Sequence, residues 1–203
     1  MFHADIYDFL DTKKISADED FRVKTLSIGV VIPDKFIELA RDNKPMYLFY
    51  PKNLWDNYGV TIDEIDMDEW YDKLINDPEI RKQKIDPRDL LEQISITQIE
   101  SGYPYIMFED NVNRDHALNN LGKVKFSNLC SEILQYSEVS QYTDYDEEDI
   151  IGQDISCNLG SLNIGNVMSN KDFENTVRYS IKALTRVSDE TDIRNAPAVK
   201  KAN

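Results

Sequence analysis

Apolar positions fall into two kinds of pattern along this chain. Leu26-Ser27-Ile28-Gly29-Val30-Val31-Ile32 is a nearly continuous apolar run of strand length. Met46 to Tyr50, stopped by Pro51, and Tyr105-Ile106-Met107-Phe108 read as buried strands in the same way. Between them the apolar residues recur at helical spacing. Ile6, Phe9 and Leu10 predict a short amphipathic helix, and Phe36, Ile37 and Ala40 predict one that starts near Pro33. Trp70, Tyr71, Leu74 and Ile75 predict a helix over 67–76. Asp86-Pro87 is an N-cap followed by proline at the first helical position. The helix it opens carries Leu90, Leu91 and Ile94 and stops near Gly102. A last helix carries Phe173, Val177, Ile181 and Leu184. Strands flanked by helices predict an α/β architecture with parallel strands. The pattern sets neither strand order nor closure into a barrel.

Composition narrows the function classes. The 203 residues suit one large domain or two small ones, with 41% hydrophobic and 30% charged residues, a globular balance. No Gly, Ser or Pro stretch reads as a linker, and no repeat of fixed period is present. The net charge of −15 disfavours nucleic acid, whose binding is driven by counterion release, and anionic membrane surfaces. No apolar run approaches the roughly 20 residues that span a bilayer. Met1-Phe2-His3-Ala4-Asp5 places an acid where a signal peptide needs a basic region. These features predict a soluble, cytoplasmic protein.

Candidate chemistry is sparse. Two cysteines, Cys130 and Cys157, exclude a four-thiolate zinc site and a disulfide-dense scaffold. The acidic clusters Asp63-Glu64-Asp66-Asp68-Glu69 and Asp144-Asp146-Glu147-Glu148-Asp149 lack EF-hand spacing and read as solvated loops. Asn128, Cys130 and Glu132 stand at i, i+2 and i+4. On an extended backbone they would share one face, presenting an amide, a thiol and a carboxyl group together. A thiol can be a nucleophile, a metal ligand or a hydrogen-atom donor, and a carboxylate can take a proton from a hydroxyl. By spacing alone the triplet carries little, because buried cysteine is most often inert core. Cys157 has no C-x-x-C neighbour, and Cys130 is its one possible partner within the chain. A Cys130–His116 hydrolase dyad is conceivable on paper, but no cysteine-protease signature surrounds Cys130.

Several stretches carry a resemblance. Asn128-Leu129-Cys130-Ser131-Glu132 resembles the active-site loop of the large (alpha) subunit of class I ribonucleotide reductase. Ser101 to Phe108, Asp110-Asn111-Val112-Asn113, Lys123 to Cys130 and Asp154 to Asn163 resemble, in order, stretches of the class Ib branch. So do Phe2-His3-Ala4-Asp5, Asp11-Thr12-Lys13-Lys14 and Asp192 to Val199. The resemblance covers essentially the whole chain.

It implies a fold and a set of roles. The fold is a segment of a ten-stranded α/β barrel, with residues 1–203 forming a central, incomplete part of the catalytic domain. Cys130 matches the cysteine that becomes a thiyl radical and abstracts the substrate's 3′ hydrogen. Glu132 matches the base for the 3′ hydroxyl, and Asn128 the residue that orients the ribose hydroxyls. Leu129 and Ser131 contribute backbone to substrate binding. Cys157 matches one member of the redox-active pair. The implied substrates are ribonucleoside diphosphates. No cofactor is implied in this chain; the radical comes from a dimanganese or diiron tyrosyl centre in a small (beta) subunit. A thioredoxin- or glutaredoxin-like dithiol is the implied reductant, and the intact alpha subunit is a homodimer. Family alpha subunits are several times longer. The second redox cysteine is expected upstream, and the diphosphate loop, relay tyrosines and C-terminal cysteines are expected downstream. The segment is therefore expected to be inactive unless joined to, or assembled with, the rest of the subunit.

Overall fold

A computed structural model describes residues 1–143 and 148–191. In chain order these form α1 (Ile6–Asp11), β1 (Gly29–Ile32), α2 (Asp34–Arg41), β2 (Met46–Phe49), α3 (Pro51–Tyr58) and α4 (Met67–Asn76). There follow β3 (Lys82–Ile85), α5 (Pro87–Ser101), β4 (Tyr105–Phe108), α6 (Glu109–Asp115), α7 (Ile164–Ser169) and α8 (Phe173–Glu190).

The strands are mixed in direction, which corrects the all-parallel expectation. β1 and β4 pair in parallel, with Gly29 opposite Tyr105 and Ile32 opposite Phe108. β2 and β3 pair antiparallel, with Met46 opposite Ile85 and Phe49 opposite Lys82. β3, Lys82-Gln83-Lys84-Ile85, has no apolar run to mark it; its place comes from backbone bonds to β2. Among the described residues the strands form two separate two-stranded sheets, not a closed barrel.

Local chemistry sets the helix ends. Asp86 accepts a bond from the Arg88 amide at 2.8 Å, and Gly102 ends α5 with φ 78°. That left-handed conformation costs glycine no Cβ clash. Pro51 both stops β2 and occupies the first turn of α3, where its missing N–H is no loss. Pro33 offers α2 no side-chain cap, so Asp110 of α6 supplies one, accepting from the Asp34 amide at 2.6 Å. This bond ties together the two helices that follow the parallel strands.

The core gathers Phe2, Leu10, Ile32, Phe36, Leu48, Phe49, Leu74, Leu90 and Ile94. Tyr71 packs its ring 5.4 Å from Phe2 and 6.1 Å from Phe49. The N-terminal segment joins β2 through bonds between Phe49 and the backbone of Phe2 and Ala4, each 2.8 Å. The apolar stripe predicted for the last helix is present in α8, but none of its residues is buried. Among the described residues no helix is long and apolar enough to cross a membrane. Asp144, Asp146 and Glu147 of the second acidic cluster, and the stretch from Asp192 to Val199, lie outside the described residues.

Candidate active site

The loop bearing Cys130 is anchored from α6. Asn113 accepts from the Val124 amide at 2.7 Å and donates to the Val124 carbonyl at 3.1 Å, as a strand partner would. Val124 itself is fully buried, and Lys125 pairs with Asp63 at 2.8 Å. From this anchor the chain turns. The Asn128 amide donates to the Ile133 carbonyl at 3.2 Å, and Asn128 Oδ1 accepts from the Ile133 amide at 3.0 Å. The Ser131 amide donates to the Asn128 carbonyl at 3.1 Å, with Ser131 at φ 65°.

Residues 128–133 are thus a closed loop and not the extended segment that the i, i+2, i+4 spacing assumed. The left-handed Ser131 reverses the chain, and Asn128 spends its side-chain oxygen on a backbone partner. Alternation along a strand does not place these side chains.

A second segment brings them together. The Glu138 amide donates to the Gln153 carbonyl at 2.7 Å, and Gln141 and Ile150 exchange bonds of 2.8 and 2.9 Å. This ladder returns the chain towards the loop and delivers Cys157. Gly152 lies so close to the partner segment that a Cβ there would stand 2.3 Å from the Glu138 carbonyl oxygen. Beyond Cys157, Asn158 hydrogen-bonds Ser188 of α8, and Gly160 faces Leu184 on the same helix. α8 therefore backs the Cys157 segment.

Three predicted residues meet in direct contact. Asn128 Nδ2 donates to Cys157 Sγ at 3.5 Å, and the Cys157 thiol donates to Glu132 Oε1 at 3.4 Å. Glu132 is held below the usual carboxylate range by its own backbone N–H and then by Asn128, against opposing desolvation, with a smaller contribution from Cys157. It is a carboxylate at neutral pH, able to accept a proton. The Cys157 thiol is pushed up by desolvation first and then by the Glu132 hydrogen bond and charge. Asn128 opposes this shift, and the charge of Cys130 adds to it. Cys130 sits at the turn, and both it and Cys157 are exposed and outside any disulfide.

Leu129 and Ser131 join Asn128 on the wall of a cavity of about 220 Å³. Ser27 and Tyr105 line it from the parallel strand pair and its approach. Sequence reasoning missed Tyr105, Ser27 and Asn113. Tyr105 stood inside an apolar run, so its hydroxyl carried no pattern of its own.

Two other readings lose ground. The His116 Nε2 is buried with no hydrogen-bond partner, so that nitrogen makes no dyad with Cys130. Asp66, Asp68 and Asp110 place carboxylate oxygens within 4.8 Å of one another. Asp66 caps α4 through the Asp68 amide, and Asp110 caps α2. Helix capping therefore accounts for both of those carboxylates.

The family described as ribonucleotide reductase, barrel domain, matches residues 1–203. The chain is 66% identical over 203 residues to a Bacillus subtilis (strain 168) protein named ribonucleoside-diphosphate reductase subunit alpha, covering 100% of this chain and 29% of that relative. Against the subunit alpha of Mycoplasma pneumoniae it is 42% identical over 202 residues, covering 99% of this chain and 28% of the relative. Against the large subunit of Plasmodium falciparum it is 31% identical over 207 residues, covering 99% and 23%. The chain spans less than a third of the length of these relatives. With a loop closed by Asn128, a thiol–carboxylate contact across it and a family match from end to end, the chain belongs to the ribonucleotide reductase barrel-domain family.

Proposed function

We propose that this chain supplies the hydrogen-abstracting loop and one reducing thiol of a ribonucleoside-diphosphate reductase alpha subunit. The observation that carries the reading is the contact of Asn128, Cys157 and Glu132 across the loop that holds Cys130. The metal–tyrosyl centre of a small subunit, dimanganese or diiron, supplies the oxidising equivalent that turns the Cys130 thiol into a thiyl.

The residues then divide the work. Cys130 takes the 3′ hydrogen atom of the ribose and later returns one. Glu132, already ionised, accepts the 3′ hydroxyl proton. The amide group of Asn128 orients the ribose hydroxyls. The 2′ hydroxyl leaves as water, and Cys157 with a thiol outside this chain gives up two electrons and becomes a disulfide. An external dithiol of the thioredoxin or glutaredoxin kind restores the pair. Partners in this reading are the small subunit, the remaining alpha segments and a second alpha subunit, in the cytoplasm. Neither nucleic acid nor membrane has a place in it.

Cys130→Ser in the intact reductase tests the assignment. It keeps size and polarity but replaces S–H with a stronger O–H bond. Deoxynucleotide formation disappears while nucleoside diphosphate binding persists. Appreciable turnover by that variant would refute the role of Cys130.

A further inference from the structure

Ser127 stands one residue before the point where the loop closes, and it is half-buried. Its hydroxyl donates to the Asn128 carbonyl at 3.0 Å and lies 3.1 Å from the Ser131 hydroxyl. A serine hydroxyl has one proton to give. With that proton on the Asn128 carbonyl, the Ser131 hydroxyl is the one that donates to Ser127 Oγ. The same Asn128 carbonyl accepts from the Ser131 amide at 3.1 Å. Ser127, Asn128 and Ser131 thus close a ring of hydrogen bonds across the turn that carries Leu129 and Cys130.

Ser131 needs this support. Its φ of 65° is left-handed, a conformation that is uncommon for a residue with a Cβ and that persists where the surroundings hold it. The Asn128 side chain is committed elsewhere, its oxygen to the Ile133 amide and its nitrogen to Cys157. The hydroxyl pair is therefore the side-chain tie within the turn itself. Without it Ser131 is free to relax towards the right-handed region, and Cys130, the residue before it, turns with it. The bonds between Asn128 and Ile133 do not involve Ser127, so the loop stays closed while the thiol loses its aim.

We propose that Ser127 is a positioning residue for hydrogen abstraction: its hydroxyl holds the left-handed turn at Ser131 and so fixes the direction of the Cys130 thiol. The proposal rests on the reading of Cys130 as the hydrogen-abstracting thiol. Ser127 and Ser131 line the cavity of about 220 Å³ together with Asn128, so the lock sits on the wall where the loop meets that space. Hydrogen-atom transfer requires the sulphur and the ribose C–H in near contact and in line. Ser127 therefore acts on the abstraction step and not on affinity.

The test uses the intact reductase with small subunit, effector and reductant, and a nucleoside diphosphate carrying hydrogen or deuterium at the 3′ carbon. Turnover is counted per nucleotide-binding site, so misfolded enzyme does not enter the rate. Ser127→Ala is expected to lose about 10–100-fold in kcat, the scale of a misplacement of about 1 Å, with nucleoside diphosphate affinity unchanged. The 3′ deuterium isotope effect on kcat is expected to rise, because abstraction becomes the slow step. Ser127→Thr keeps the hydroxyl and is expected to restore most of the turnover and to return the isotope effect towards the wild-type value. An alanine variant with full turnover per site overturns the proposal. So does slow turnover with an unchanged isotope effect, which marks a fault outside the abstraction step, and so does a threonine variant as slow as alanine. Wild type and Cys130→Ser, run in parallel, check the underlying reading separately. A wild type that forms no deoxynucleotide, or a Cys130→Ser variant that does, removes the role of Cys130, whereas failure at Ser127 alone leaves that role standing.

Discussion

Glu132 holds a negative charge beside the Cys157 sulphur and accepts the hydrogen of its thiol at 3.4 Å. Both effects favour the thiol over the thiolate, and the thiolate is the species that alkylates and exchanges. Glu132→Gln removes the charge and weakens the acceptor. The pKa of Cys157 is therefore expected to fall, and its alkylation rate at a fixed pH near neutrality to rise several-fold, read by mass spectrometry across a pH series. An unchanged profile would show that the contact has no electrostatic weight. The sign at Glu132 is opposite. Its pKa is depressed, so its ionised, proton-accepting form persists as pH falls through the ordinary carboxylate range. Loss of base function on acidification in the intact reductase is expected below that range. An acid limb near neutrality in the pH dependence of turnover would have to belong to another group.

At the level of elements, the ladder from Glu138 to Gln153 and the backing of α8 hold Cys157 against the loop. Gly152→Ala places a methyl group 2.3 Å from a backbone carbonyl oxygen, which cannot swing aside as a side chain does. The ladder is expected to part, at a cost of about 1–3 kcal/mol typical of overpacking. Faster hydrogen exchange at the Gln141 and Ile150 amides and a Cys157 pKa nearer the ordinary thiol value would report it. Burial separates two apolar truncations in the 203-residue chain. Leu90→Ala removes a fully buried side chain of α5 and is expected to cost about 2–5 kcal/mol by denaturant unfolding. Ile181→Ser on α8, where Ile181 is 59% exposed, is expected to change stability by no more than about 0.5 kcal/mol. Elements were legible in the sequence where their signals are local. Asp86, Pro87 and Gly102 mark both ends of α5 with groups that act within a few residues. β3 was hidden because its partner, not its own composition, makes it a strand. The sequence names Asn128, Glu132 and Cys157 without the shape that brings them into contact. Asn128, Glu132 and Cys157 do meet, but through a turn at Ser131 and a distant ladder that spacing along the chain cannot express.

The whole molecule carries a net charge of −15, a field that opposes an anionic diphosphate. Phe173, Ile181 and Val187 of α8 are exposed, an apolar surface that a larger assembly can cover. The chain has only one thiol besides the proposed radical cysteine and spans 29% of its Bacillus subtilis relative. An unanchored ribose loses the large rate advantage of fixed orientation. Mixed with small subunit, nucleoside diphosphate, effector and reductant, the 203-residue chain is therefore expected to form no deoxynucleotide. Activity above background would show that the segment is sufficient. The division of labour between its two thiols is the central claim, and a single turnover of the intact reductase without external reductant tests it most directly. Peptide mapping after that turnover is predicted to find Cys157 in a disulfide with a cysteine outside this chain and Cys130 still open to alkylation. A dominant Cys130–Cys157 disulfide, or product formed with Cys157 left as a free thiol, would contradict it.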